Sequence, residues 1–138
     1  MGFTALKPDI YGTQDERLRA DVRLLCRLLA KDFKPNAAAV NVIFVTDRRI
    51  HTLNRQFLKR DRPTNVISFN CDEPQVPGEP HVLGEVYVSR DRARAQAHEY
   101  GVSYASEIRR LTLHGLLHLL GLTHRDMEPL YRHYLEKL

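Results

Sequence analysis

The chain has 138 residues, 43% of them apolar and 28% charged, with two cysteines and a formal net charge of +4. These are the proportions of an ordinary folded chain, which excludes a low-hydrophobicity disordered one, and no apolar run approaches the roughly 20 residues that span a bilayer. Cys26 and Cys71 form neither a disulfide framework nor a Cys-x-x-Cys site, and a moderate positive charge is compatible with nucleic acid without establishing it.

The length suits a single domain over residues 1–138 with its own hydrophobic core. The opening MGFTALKPDIYG lacks a basic stretch followed by an apolar one, so no signal peptide is expected. Leu6 stands where a myristoylation signal has Ser or Thr. A cytoplasmic protein with no membrane partner is the expectation.

Phe3 to Leu6 is expected to form a short edge strand. Thr13-Gln-Asp-Glu16 has the form of a capping box opening a helix. Leu18, Val22, Leu25, Leu28 and Leu29 then recur at helical spacing to about Asp32, with Cys26 as a core thiol and Pro35 closing the region. Ala39 to Thr46, rich in β-branched and aromatic residues, predicts a buried strand. Asp47 is placed to cap a short helix through Leu53 or Phe57, with Phe57 read as core. Asn65 to Asn70 and Val82 to Ser89 predict two further strands. Between them Cys71 to His81, with three prolines and a glycine, reads as a loop. Asp91 to Glu99 predicts a helix ending near Gly101. Ser103 caps a longer helix with Glu107 in its first turns, and Asp126 caps a terminal helix to Tyr134 or beyond. Strands intermixed with helices predict an α+β two-layer domain, a small mixed β-sheet packed against helices.

The stretch from Arg48 to Arg62 carries Arg48, Arg49, Arg55, Lys59, Arg60 and Arg62 against one acid, Asp61. Charge alone is compatible with a solvated helix face. As a functional surface it offers guanidinium forks that hold a nucleic-acid backbone without reading its bases. Arg90, Arg92 and Arg94 are candidates to extend it. Single histidines at 51, 81, 98 and 133 are expected at the surface.

The chemistry concentrates in Leu111 to Asp126, LTLHGLLHLLGLTHRD. His114 and His118 are four residues apart, about 40° from one another around a helix, with Cβ atoms roughly 6 Å apart. Gly121, three residues later, can take the left-handed conformation that ends a helix and let the chain bring His124 round. The spacing H-x-x-x-H-x-x-G-x-x-H is that of metzincin zinc sites. Those proteases have Glu, the general base, directly after the first His, where this chain has Gly115. Three neutral imidazoles suit Zn, Ni, Cu or Fe and leave a coordination position open. One metal ion held by His114, His118 and His124 is the expected cofactor.

HGLLHLLGLTH (His114 to His124) resembles the H-G-x-L-H-L-x-G-x-D-H signature of the YbeY family, metal-dependent endoribonucleases and ribosomal-RNA maturation factors. LNRQFLKRDRPTNVISF (Leu53 to Phe69) resembles the family's L-N-x-x-Y-R-x-x-D-x-P-T-N-V-L-S-F block, and LGEVYVS (Leu83 to Ser89) its L-G-D-I strand. The resemblance implies a mixed sheet packed with helices, a cleft running past one metal ion, usually taken as zinc, and His114, His118 and His124 as its ligands. It implies hydrolysis of RNA phosphodiester bonds in ribosomal RNA maturation and ribosome quality control. RNA is the implied partner, with ribosomal proteins or assembly GTPases beside it. The chain departs from the pattern at two positions. Thr123 stands for the Asp before the third His, and Leu58 for the Arg after the aromatic residue. Lys59 or Arg60 is then the candidate to supply that charge, and Arg60 joins His114 and His118 as a candidate catalytic residue. Two alternatives stay open: a non-catalytic RNA- or ribosome-binding assembly factor with a structural metal, and a zincin-like peptidase in which Glu85 reaches the site from another strand.

Overall fold

The computed structural model describes residues 5–59, 64–71, 77 and 81–138. Along the chain run β1 (Lys7–Tyr11), α1 (Glu16–Phe33), β2 (Ala39–Val45), α2 (Asp47–Leu58), β3 (Val66–Asn70), β4 (Val82–Ser89), α3 (Arg90–Tyr100), α4 (Tyr104–Leu119) and α5 (His124–Leu135). This is the α+β architecture expected, with five helices and a four-stranded mixed sheet among the described residues. The strand order is β1-β2-β4-β3; β1, β2 and β4 are parallel, and β3 runs antiparallel to β4 at the edge.

Alternation decides which face each helix covers. Val40, Val42 and Phe44 of β2 and Val86 and Val88 of β4 point to the face covered by α1 and α4, and form one cluster with Leu25, Leu29, Leu111, Leu113, Leu116 and Leu117. Each leucine so buried contributes roughly 1.5–3 kcal/mol, so α4 is held from both sides by apolar packing. Among the described residues the opposite face receives α2, through Ile50 and Leu53 on Ile67, with Val45, Phe69 and Tyr87 beside them. Tyr134 of α5 donates to Asp32 of α1 at 2.6 Å, and Arg109 of α4 pairs with Asp21 of α1.

Several local expectations are corrected. The first strand lies at Lys7–Tyr11 rather than Phe3 to Leu6; residues 1–4 lie outside the described residues, and Leu6 precedes the strand. Alternation of Pro8 and Ile10 with polar residues is too short a signal to place it. The cap of α1 is Asp15, whose carboxylate accepts from the amides of Arg17 and Leu18, while Thr13 accepts from the amide of Asp15. A carboxylate beside free amides displaces the hydroxyl two residues earlier as the cap. Likewise Thr46 caps α2 and Thr123 caps α5, where Asp47 and Asp126 stand in the first turn. Phe57 is 55% exposed, its ring meeting only the edge of Phe69, because α2 covers one margin of the sheet. His98 and His133 are exposed as expected, whereas His51 and His81 are half-buried. Of the 71–81 loop, residues 72–76 and 78–80 lie outside the described residues. No helix among the described residues is long and apolar enough to cross a membrane.

Candidate metal centre

His114 and His118 stand one turn apart on α4, half-buried between Leu111, Leu113, Leu116, Leu117 and Leu119, which are buried. The helix ends as the spacing predicts: Gly121 takes φ 87° and its amide donates to the carbonyl of His118 at 3.0 Å. Thr123 then opens α5 with a capping box, its hydroxyl donating to Asp126 at 2.8 Å, and His124 is the first helical residue. The three rings meet, with centroids 4.6 Å (His114–His118), 5.0 Å (His114–His124) and 5.1 Å (His118–His124) apart. One nitrogen from each lies within 4.8 Å of the others. Nitrogens on one tetrahedral zinc ion are roughly 3.4 Å apart, so the rings would close by about 1.4 Å at most to hold one.

The rings form one wall of a cleft of about 450 Å³ whose other lining is Leu58, Thr64, Asn65, Val66, Ile67, Ser68 and Asn70. The edge strand β3 thus lies along the histidines. Ser68 donates to the carbonyl of Gly115 at 3.0 Å, and the Asn70 amide to that of Leu119 at 3.0 Å, so β3 is stitched to the helix carrying the ligands. These contacts join residues 47 and 49 positions apart, which no local pattern announces. Gly115 has a tertiary reason as well. An ideal Cβ there stands 2.3 Å from Val86 Cγ1, so α4 touches the sheet at this point. No glutamate fits where a zincin has its base. Glu85 does not replace it, since it alternates with Val86 onto the opposite face and hydrogen-bonds Tyr87 there.

Burial pushes the pKa of His114 down to about 4, helped by His118, His124 and Arg110, and lowers that of His118 for the same first reason. Both are therefore neutral at pH 7, the state a metal requires. Arg110, one turn before His114, is held by Glu107 through two bonds of 2.7 and 2.9 Å, and Glu107 is buried. The Nδ1 of His114 is in hydrogen-bond contact with the hydroxyl of Tyr131 on α5. The sequence reading passed over Tyr131. Its signal was position: seven residues after His124, it shares that residue's face of α5. The depressed values carry a sign. Between pH 6.5 and 4 the unfolded chain binds more protons than the folded one, so metal-free protein is expected to lose stability as pH falls through that window. Urea midpoints at pH 7, 5.5 and 4.5 measure this, and replacing His114 with Gln flattens the slope.

The described basic residues of the 48–62 stretch lie apart from the histidine cleft. Arg48, Arg49, Arg55 and Lys59 are exposed on α2 and its cap, and none lines the cleft; Leu58 does, at 43% exposure. Arg60 and Arg62 lie outside the described residues. The arginines of α3 are engaged within the protein. Arg90 donates to the Gly12 carbonyl at 3.1 Å, Arg92 pairs with Asp47 at 3.0 Å, and Arg94 lies 4.8 Å over the Tyr104 ring.

A family model described as Endoribonuclease YbeY matches residues 8–136 of the chain. A protein of that name from Chloroflexus aurantiacus is 41% identical over 121 residues, spanning 81% of this chain and 79% of its own. Another, from Desulfitobacterium hafniense, is 46% identical over 95 residues, spanning 64% and 60%. Among solved structures, a Thermotoga maritima protein determined in solution superimposes with a TM-score of 0.64 at 27% identity, over 95% of this chain and 87% of that one.

Proposed function

The chain belongs to the YbeY endoribonuclease family, and from that premise we propose that it is a cytoplasmic, zinc-dependent endoribonuclease acting in ribosomal RNA maturation and ribosome quality control. The observation that carries this reading is the meeting of three imidazoles at the wall of an open cleft, with a glycine where a peptidase has its base. The donor set fits zinc: His114 and His118 are held neutral, and all three rings face one another. His114, His118 and His124 hold the ion. When bound, it supplies Lewis acidity toward a phosphoryl oxygen and acidifies water.

The chain's own groups bind and orient the substrate. Thr64 and Asn65 present uncharged hydroxyl and amide groups along the cleft, suited to phosphate oxygens and ribose hydroxyls, while Ser68 and Asn70, which donate to the Gly115 and Leu119 carbonyls, keep an oxygen that can accept from ribose hydroxyls. Arg48, Arg49 and Arg55 on α2 and Lys59 at its cap hold the backbone beyond the cleft, and Arg60 and Arg62 are further candidates by sequence. Ribosomal RNA is the proposed partner, with ribosomal proteins or assembly GTPases beside it.

A second reading, an RNA-binding assembly factor whose metal fastens α5 to α4, draws on Leu58. It puts an apolar side chain on the cleft where the family pattern has an arginine, and among the described residues the titratable side chains lining the cleft are the three histidines. One experiment separates the two. Protein purified without a histidine tag is assayed for metal content and for cleavage of single-stranded ribosomal RNA fragments. Cleavage that stops with a chelator and returns with zinc is the expected result. Salt-dependent RNA binding without turnover, with a lower melting temperature on chelation, selects the assembly factor. Cleavage by fully metal-free protein overturns the metal mechanism.

A further inference from the structure

Among the described residues, His114 is the one metal-site histidine whose ring is hydrogen-bonded to another side chain. Its Nδ1 meets the Tyr131 hydroxyl, and the two rings lie nearly parallel, 20° apart with centroids at 6.2 Å. The same hydroxyl is 3.7 Å from Met127 Sδ, with Met127 fully buried one turn earlier on α5. A hydroxyl has one proton. If it goes to the sulfur, the oxygen is left to accept, and the proton shared with His114 must come from Nδ1.

Resting on the metal-binding reading above, we propose that Tyr131 is a positioning residue that keeps the proton of His114 on Nδ1 and so presents Nε2 as the ligand atom. The chain of donors runs from His114 Nδ1–H to Tyr131 Oη, and from Oη–H to Met127 Sδ. An imidazole free in water mostly carries its proton on Nε2, the tautomer that blocks this ligand atom. Tyr131 removes that competition before a metal arrives and raises the basicity of the nitrogen that binds it. The placement also couples two elements. His124 begins α5 and Tyr131 lies two turns on along one face, so α5 gives one ligand and braces another that belongs to α4. Docking α5 and forming the metal site are then one event.

The experiment has two readouts. In metal-free, nitrogen-15-labelled protein, His114 is expected to show the Nδ1–H tautomer in the wild type and a shift toward Nε2–H in Tyr131→Phe, which keeps the ring and removes the oxygen. In competition with a chromogenic chelator, Tyr131→Phe is expected to bind zinc about ten- to a hundredfold more weakly, the usual effect of losing a ligand's outer partner. An unchanged urea midpoint of the metal-free variant shows that packing is kept. An Nε2–H tautomer in the wild type, or equal zinc affinity in both proteins, overturns the proposal. Should the wild type take up no zinc, the functional reading fails on its own, and the tautomer of His114 still decides the role of Tyr131.

Discussion

Gly115→Ala is expected to destabilise the protein by about 1–3 kcal/mol, the usual cost of forcing a methyl group into a packed core. The sign is the informative part. In an ordinary helix interior the same change stabilises by about 1 kcal/mol, because alanine loses less backbone entropy on folding. Here the new carbon lands 2.3 Å from Val86 Cγ1, 3.0 Å from Val66 Cγ2 and 3.2 Å from Ser68 Oγ. Val86 is β-branched and fully buried, so its rotamer cannot give way cheaply. Either α4 lifts off the sheet or β4 moves. Val86→Ala in the same background is expected to return part of the loss, giving a favourable coupling in a double-mutant cycle followed by urea unfolding. Gly115→Glu, which installs the residue a zincin peptidase has there, is expected to give unfolded protein instead of a peptidase. Should Gly115→Ala prove as stable as the wild type, α4 and the sheet are not in the contact described.

The largest functional effect belongs to the histidines. His114→Ala, His118→Ala and His124→Ala are each expected to lower zinc affinity and RNA cleavage by more than about a hundredfold, since losing even an outer partner of a ligand costs ten- to a hundredfold. Thermal unfolding gives an independent view. With free zinc at about a thousand times its dissociation constant, binding adds about 4 kcal/mol to the wild type, and that increment should fall to about 1.4 kcal/mol or less in all three variants. The prediction is one of equality: the residues come from different elements and differ in exposure, yet one shared ion makes them interdependent. A variant that keeps full zinc-dependent stabilisation shows that its histidine stands outside the site.

Much of this was legible in the residues themselves. His114, His118, Gly121 and His124 encode their meeting locally, through one helical turn and one left-handed glycine. The strands from Ala39 and Val82 and the helices α1 and α4 follow from short-range periodicity and a capping serine. Where local reading missed, two neighbouring groups competed for one role. Asp15 and Thr13 both offer an oxygen near the start of α1, and Thr46 and Asp47 both offer one to α2; the helix amides go to Asp15 and to Thr46. Phe57 reads as core by type, and is exposed because α2 covers only the margin of the sheet.

By itself, the sequence determined the imidazole trio, the helix and turn that deliver it, and the mixed α+β character, because each depends on contacts within about a dozen residues. Tertiary structure alone decided the rest. It set β3 beside the histidines, put Tyr131 behind His114, turned Glu85 to the far face and closed α4 onto Val86 so that position 115 admits only glycine. These relations join segments far apart in the chain, and their partners are chosen by how the sheet orders its strands and which face each helix covers, which no local periodicity encodes.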